Sequence, residues 1–225
     1  MSGNNQIYTL SFMHSNDMKQ NIYDAIRSLP FGEYEKSRLL KIKNPTALKN
    51  SLSALICLEH LLVQHGIDTN TVDLTIVRDE NGKPHFISCP LHFSISHSDT
   101  LAAVVLSDKN VGIDLEFIDS SRDILAISKR FFAPEEHSAI CESKYPIEDF
   151  FALWTKKEAL SKLLGKGLAS ICATQVKNGI ECNFKEYIIV TGECSARLAL
   201  CHDGDSVNLN IDNPYKEITL YEIQN

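Results

Sequence analysis

The segment over residues 111–118 constrains the fold more than any other part of the chain. Its aliphatic side chains alternate with Gly112, Asp114 and Glu116, and this alternation has the period of a β-strand rather than that of a helix. As a strand, the segment turns its aliphatic residues to one buried face and both carboxylates to the other. Two like charges on neighbouring same-face positions are unfavourable unless a cation lies close to them.

A second segment, Trp154–Lys162, has the pattern of a helix and adds a third carboxylate. Glu158 and Lys162 are four residues apart, so a helix places them on one face. Three carboxylates beside a lysine suit a hard divalent cation that itself holds a phosphate. Each piece also has a purely structural interpretation: a charged strand edge for the first pair, and a surface ion pair of about 0.3–0.5 kcal/mol for the second.

The remaining periodicity predicts an α+β chain with two halves. Helices are predicted over residues 18–29, 45–65, 123–132, 134–142 and 147–164. Strands are predicted over residues 7–12, 72–77, 92–96, 101–106, 111–118, 187–190, 196–200, 207–211 and 218–223. A turn at residues 107–110 divides the chain into predicted halves 1–108 and 109–225, each with helices and mainly antiparallel strands.

Composition excludes several classes of protein. No apolar run reaches the roughly 18–20 residues that a membrane span needs, and residues 1–6 do not form the start of a signal peptide. Seven cysteines without a Cys-x-x-Cys pair predict a reducing, cytoplasmic location and no structural zinc site. A net charge of −7 argues against a nucleic-acid-binding protein, so any phosphate site must be local.

The triplet Ser96-His97-Ser98 ends a predicted strand and leaves two interpretations open. It could belong to a nucleophilic site, but no Gly-x-Ser-x-Gly turn supports a serine hydrolase. A hydroxyl and an imidazole at a strand end more readily donate hydrogen bonds to an anion. Further along, Glu136 follows Pro134, and an acidic residue in a first helical turn is explained by the helix dipole alone.

Taken in order, these blocks resemble the Sfp-type 4′-phosphopantetheinyl transferases. The resemblance runs from about residue 82 to residue 168 and has five parts: Gly82-Lys83-Pro84, Phe93-Ser94-Ile95-Ser96-His97-Ser98, Gly112-Ile113-Asp114-Leu115-Glu116, Lys129-Arg130-Phe131-Phe132 with Glu136, and Trp154-Thr155-Lys156-Lys157-Glu158 with Lys162 and Gly165-Lys166-Gly167. The resemblance implies an α+β (α/β) fold that is a pseudo-dimer of two similar halves with the active site between them.

The resemblance also implies an activity and a set of residue roles. Such enzymes move the phosphopantetheine arm of coenzyme A to a serine of an apo acyl or peptidyl carrier protein and release adenosine 3′,5′-bisphosphate. By resemblance, Mg²⁺ binds Asp114, Glu116 and Glu158, and Glu136 is the base for the carrier serine. Lys162 and Lys157 face the phosphates of coenzyme A, Ser96 and His97 contact its nucleotide end, and Lys83 and Pro84 lie near the adenine. A monomer is expected.

One position departs from the family pattern. Where the family carries an arginine that touches the nucleotide phosphate, this chain has Lys49-Asn50-Ser51; a lysine supplies charge but not a planar fork, so Lys49 and Lys36 are the candidates. Two other functions are weighed against the transferase. A non-catalytic binding module for coenzyme A or a carrier protein is expected to have lost a magnesium ligand or Lys162, and a metal-dependent phosphoesterase should show a His/Asp cluster; the sequence shows neither feature.

Overall fold

The computed structural model describes residues 7–171, 176, 182–192, 194–203, 208–213 and 218–224. The helices among them are α1 (Ile22–Ser28), α2 (Gly32–Leu40), α3 (Pro45–Gln64), α4 (Ile124–Phe131), α5 (Pro134–Glu142) and α6 (Pro146–Leu164). The strands are β1 (Ile7–His14), β2 (Ile76–Arg78), β3 (Pro84–Phe86), β4 (His92–Ser98), β5 (Leu101–Ser107), β6 (Val111–Phe117), β7 (Asn183–Thr191), β8 (Cys194–His202), β9 (Asn208–Asp212) and β10 (Ile218–Ile223). The predicted α+β class is confirmed.

Two four-stranded sheets form the centre of the molecule. The first has the strand order β4-β5-β1-β9 and the second β10-β7-β8-β6. Neighbouring strands are antiparallel in every pair except β1 with β9, which is parallel. β4 and β6 are edge strands of their sheets, and they lie against each other where the two sheets meet.

The period-two pattern of β5 explains how this centre is packed. All of its residues are buried: Leu101, Ala103 and Val105 face the core between the two sheets, whereas the intervening residues face α1–α3 on the other side. A strand covered on both faces reads as a continuous apolar run. β6 is covered differently, because its aliphatic face enters the inter-sheet core as predicted while its polar face meets α6.

The C-terminal strands tie the two predicted halves together. β9 follows the predicted boundary at residue 108 in the sequence, yet it pairs with β1 and completes the first sheet. The halves 1–108 and 109–225 are therefore linked through β9, and the pseudo-dimer stays a prediction. The predicted strand at 207–211 begins at Val207, which lies outside the described residues.

Most differences from the predicted elements are in the first half. The basic segment near Lys36 forms α2, since Glu35 and Leu39 are buried on one side of it. The predicted strand over 72–77 is reduced to β2, which pairs with β3 around a turn at Gly82. Among the described residues, no helix combines the length and the apolar character that crossing a membrane requires.

Candidate active site

An open cleft of about 480 Å³ lies where α2, α3, β2–β3, β4, β6 and α6 converge. This volume is within the range of small-molecule sites. The predicted site residues on its wall are Lys83, Pro84, Ser96, His97, Asp114, Glu116, Glu158 and Lys162. Arg38, Arg78 and Lys166 lie on the same wall. The cleft thus brings together carboxylates from the second half with cations from both halves.

Gly112 allows α6 to lie directly on β6. A β-carbon at this position would be 2.0 Å from the carbonyl oxygen of Ala159 and 2.6 Å from the backbone nitrogen of Leu163, distances that no side chain tolerates. Since Glu158 and Lys162 flank this contact on α6, the missing side chain of Gly112 sets their height above Asp114 and Glu116. α6 ends at Gly165, which has φ of +62°, as the sequence predicted.

Serine hydroxyls join β4 to β6 at the floor of the cleft. The Oγ atoms of Ser94, Ser96 and Ser98 accept hydrogen bonds from the backbone N–H groups of residues 113, 115 and 117, each at 3.1 Å. These N–H groups belong to an edge strand, whose unpaired backbone groups need other partners.

Asp114 is the centre of the polar network. Its side chain is 6% exposed, and Oδ1 accepts hydrogen bonds from Lys162 Nζ at 2.8 Å and from Ser96 Oγ at 2.8 Å. Lys162 Nζ also donates to Ser96 Oγ at 2.9 Å. The second carboxylate oxygen, Oδ2, is buried without a hydrogen-bond partner in the described structure. A buried charged oxygen without a partner is costly, so this atom is a candidate ligand position.

The other two carboxylates are electrostatically coupled to Asp114. The pKa of Glu158 is raised to about 7, mainly by burial and then by the charge of Asp114, with a smaller contribution from Glu116, while the Lys162 ammonium acts in the opposite direction. Burial and then the Asp114 charge also raise the pKa of Glu116, against the influence of Arg122. Both shifts have the direction expected when carboxylates share a site with too little positive charge.

The donor set suits a hard cation, although the side chains are not arranged around one. Among the described residues, no group of three or more His, Cys, Asp or Glu side chains stands ready to hold a metal ion; Asp114 is turned to Lys162 instead. The orphaned Oδ2 of Asp114 nevertheless lies beside two further carboxylates whose pKa values are raised, first by burial and then by the charge of Asp114. Oxygen donors of this kind are those that Mg²⁺ prefers.

A basic part of the wall was missed by the sequence reasoning. Glu35 is fully buried, and its Oε1 binds Arg38 at 2.7 Å and Arg78 at 3.1 Å. Burial alone would raise the pKa of Glu35, but hydrogen bonds from these guanidinium groups, together with their charges, lower it overall. Arg78 also donates to the carbonyl of Gly82 at 2.9 Å. The i,i+3 spacing of Glu35 and Arg38 was a local signal, whereas the contact with Arg78 depends on the fold.

The remaining predicted residues on the wall are held differently. Lys83 Nζ donates to Leu163 O at 2.8 Å and to Asn110 Oδ1 at 2.7 Å, so this ammonium anchors the C-terminal end of α6; burial lowers its pKa. His97 is exposed to the cleft, and the enclosing wall, followed by the Lys162 charge, lowers the pKa of its imidazole.

Three predicted site residues do not line the cleft: Glu136, Lys157 and Lys49. Glu136 Oε2 binds Lys157 Nζ at 2.8 Å and the N–H of Ala133 at 2.9 Å, and its Oε1 accepts the N–H of Val176 at 3.0 Å. The Lys157 side chain is fully buried. The roles predicted for these three residues stay predictions.

Comparison with known proteins identifies relatives of this chain. Residues 110–198 match the model of the 4′-phosphopantetheinyl transferase superfamily. The 4′-phosphopantetheinyl transferase gsp of Aneurinibacillus migulanus is 30% identical over 156 residues, which cover 68% of this chain and 63% of that protein. A 4′-phosphopantetheinyl transferase of Bacillus subtilis is 35% identical over 109 residues, or 47% and 46% of the two chains.

The 4′-phosphopantetheinyl transferase Sfp of Bacillus subtilis strain 168 is 27% identical over 165 residues, which cover 66% of this chain and 71% of Sfp. The match to the first two relatives spans less than two thirds of their own length. The stretch that matches the superfamily model contains Asp114, Glu116, Glu158 and Lys162 of the cleft. Over residues 110–198 the chain is thus similar to the 4′-phosphopantetheinyl transferase superfamily, and these three relatives are all 4′-phosphopantetheinyl transferases.

Proposed function

We propose that this protein transfers the 4′-phosphopantetheine arm of coenzyme A to a serine of an apo acyl or peptidyl carrier protein, in a Mg²⁺-dependent reaction that releases adenosine 3′,5′-bisphosphate. One observation carries the proposal: in a chain similar to this superfamily, Asp114 with its unpartnered oxygen, Lys162 and two further carboxylates share one cleft with arginines. A pyrophosphate-containing substrate needs positive charge along its length and a proton acceptor beside it.

Asp114, Glu116 and Glu158 are the residues that would hold Mg²⁺. When bound, the ion would supply Lewis-acid charge neutralisation on the pyrophosphate. The oxygen-only donor set and the unpartnered Oδ2 of Asp114 support this assignment. Lys162, which is 29% exposed and reaches into the cleft, would donate to the phosphate oxygens where negative charge develops.

The basic wall would hold the nucleotide end of coenzyme A. Arg38 and Arg78 are fixed by the buried Glu35, and a guanidinium fork is better suited to phosphate than the lysine that the sequence suggested at position 49. Arg38 lies near enough to His97 for its charge to lower the pKa of the imidazole. Ser96 is less available for a phosphate, because its proton is donated to Asp114.

In the proposed reaction, the carrier serine oxygen forms a bond to the β-phosphorus of coenzyme A while the bond from that phosphorus to the leaving adenosine bisphosphate breaks. The serine proton passes to a carboxylate. Glu136 was predicted for this step from the sequence, but Glu158 lies on the wall of the cleft and Glu136 does not. Because Glu158 is one of the residues assigned to the ion, Glu136 stays the proton acceptor predicted from the sequence.

The conditions of the reaction form part of the proposal. Cys57, Cys89, Cys141 and Cys194 are free thiols, which suits the reducing cytoplasm. We propose that the chain acts there as a monomer on coenzyme A and a carrier protein, with neither nucleic acid nor membrane as a partner.

Mass spectrometry tests the proposal directly. An apo acyl carrier protein and an apo peptidyl carrier protein are incubated with the chain, coenzyme A and Mg²⁺. We expect one of them to gain a single phosphopantetheine arm and to gain none when a chelator is present. Binding of coenzyme A without modification of either carrier would favour the non-catalytic binding module.

A further inference from the structure

Ser94, Ser96 and Ser98 form a hydroxyl ladder between β4 and β6, in which one hydrogen-bonding unit occurs three times. In each unit a serine Oγ of β4 accepts a backbone N–H of β6. Because that oxygen is already an acceptor for the backbone, its position follows the register of the two strands. Its single proton remains available for another partner.

The three units differ in what stands beside the hydroxyl on β6. Ser96 accepts the N–H of Leu115 and donates to the preceding residue, Asp114, at 2.8 Å. Ser98 accepts the N–H of Phe117 and donates to the preceding residue, Glu116, with 3.1 Å between Oγ and Oε2.

In the third unit, Ser94 accepts the N–H of Ile113 at 3.1 Å, and the preceding residue is Gly112, which has no side chain to receive a proton. The ladder therefore contains its own internal control. Ser96 and Ser98 each bond both a backbone N–H and a carboxylate of β6, whereas, among the described residues, Ser94 bonds only the backbone N–H.

We propose that Ser98 is a positioning residue that fixes the Glu116 carboxylate for the cation, as Ser96 does for Asp114. This inference rests on the proposed function. Glu116 has a long, flexible side chain that is 22% exposed, and the guanidinium of Arg122 is 3.8 Å from the same Oε2, beyond normal hydrogen-bond length. The Ser98 hydroxyl holds the carboxylate at a defined place on the strand, and hydrogen bonds to metal-binding carboxylates typically sustain metal affinity.

A matched pair of variants, Ser98→Ala and Ser94→Ala, separates positioning from strand pairing. Each removes one hydroxyl that accepts a β6 N–H, so both should lower the urea midpoint of unfolding by similar amounts. Mg²⁺ is titrated into each full-length variant by calorimetry in the presence of saturating coenzyme A. We expect the Mg²⁺ affinity to fall about tenfold in Ser98→Ala and to stay within about twofold of the wild type in Ser94→Ala.

The outcomes distinguish this inference from the proposed function. Equal Mg²⁺ affinities in the wild type and Ser98→Ala, or equal losses in both variants, would overturn the positioning role while leaving the metal site intact. A wild-type chain that binds no Mg²⁺ would overturn the metal assignment and this inference together. Wild-type binding of Mg²⁺ with the expected difference between the variants, but without transfer to any carrier, would overturn the transferase proposal alone.

Discussion

Two ion pairs along α6 differ in how completely their atoms are satisfied. In the first, Lys157 binds Glu136, and each carboxylate oxygen of Glu136 also accepts a backbone N–H. In the second, Lys162 binds Asp114, whose Oδ2 is buried without a partner in the described structure and whose neighbours Glu116 and Glu158 have raised pKa values.

We infer from this difference that the Glu136–Lys157 pair has a structural role and that the Asp114–Lys162 pair has a role in ligand binding. A buried pair whose hydrogen bonds are complete holds its surroundings in place, and the Glu136 contacts link the start of α5 to α6 and to Val176. A pair that leaves a carboxylate oxygen unpaired beside further negative charge is suited to a ligand. The sequence predicted functional roles for both Glu136 and Asp114. From their surroundings we expect a substitution of Glu136 to affect mainly stability and a substitution of Asp114 to affect mainly transfer.

The largest effect on stability is expected for Glu136→Gln. The substitution leaves the Lys157 ammonium, which is fully buried, without its carboxylate, and breaking a buried pair in this way costs about 3–5 kcal/mol. Urea titration would measure the free energy of unfolding, with Glu135→Gln at the exposed neighbouring position as control. If Glu136→Gln is as stable as the wild type but does not catalyse transfer, Glu136 would instead be supported as the base, and the contrast between the two ion pairs would be wrong.

For Asp114→Asn we expect the opposite profile. Loss of a metal ligand should slow transfer by about 10²–10³-fold, since metal charge stabilisation is worth several kcal/mol. Stability should change little, because the loss of the Lys162 pair is offset by relief of repulsion with Glu116 and Glu158. Initial rates with an apo carrier protein would be compared with those of Asp108→Asn, an exposed position. A near-normal rate in Asp114→Asn would contradict the account.

Gly112→Ala tests whether the height of α6 above β6 sets the geometry of the site. The added methyl would collide with the Ala159 carbonyl, and we expect a loss at the upper end of the about 1–3 kcal/mol typical of overpacking, together with slower transfer. Gly192→Ala is unsuitable as a control, because Gly192 has a positive φ. The control is Ala159→Gly, which changes the residue of α6 that contacts Gly112. Unchanged stability in Gly112→Ala would show that α6 can move without cost.

The smallest effect concerns the basic wall and depends on pH. The arginines lower the folded-state pKa of Glu35 below its ordinary value of 4.5, so its ionised form contributes stability above about that pH and the contribution is lost as the pH falls through the folded-state pKa. Glu35→Gln should cost about 1–2 kcal/mol at pH 7, because both arginines are partly exposed. The stability of Glu35→Gln should also decline less steeply than that of the wild type as the pH falls. Urea midpoints of both proteins, measured between about pH 3 and 7, would test this.

The sequence predicted the elements that carry strong local signals. Alternation identified β6 and its buried face, the Asn44-Pro45 start identified α3, and Gly165 identified the end of α6. The helical spacing of Glu158 and Lys162 predicted that they share one face of a helix, and both side chains line the same cleft. Periodicity suffices for these features because each is determined within one or two turns of chain.

Other features depend on contacts between distant segments and could not be read from the sequence. The parallel pairing of β9 with β1 joins residues about two hundred positions apart, and no local pattern specifies it. Arg78 becomes part of the basic wall only because the β2–β3 hairpin packs against α2. The satisfied state of Glu136 likewise depends on Lys157 and Val176, so a motif position alone could not separate it from a free base.

The melting temperature of the wild type and of Asp114→Asn, each with Mg²⁺ and coenzyme A, tests the central claim most directly. If the unpaired Asp114 oxygen is a ligand position for the cation, the two ligands together should raise the melting temperature of the wild type and should raise that of Asp114→Asn little or not at all. Equal increases in the two proteins, or none in the wild type, would contradict the account.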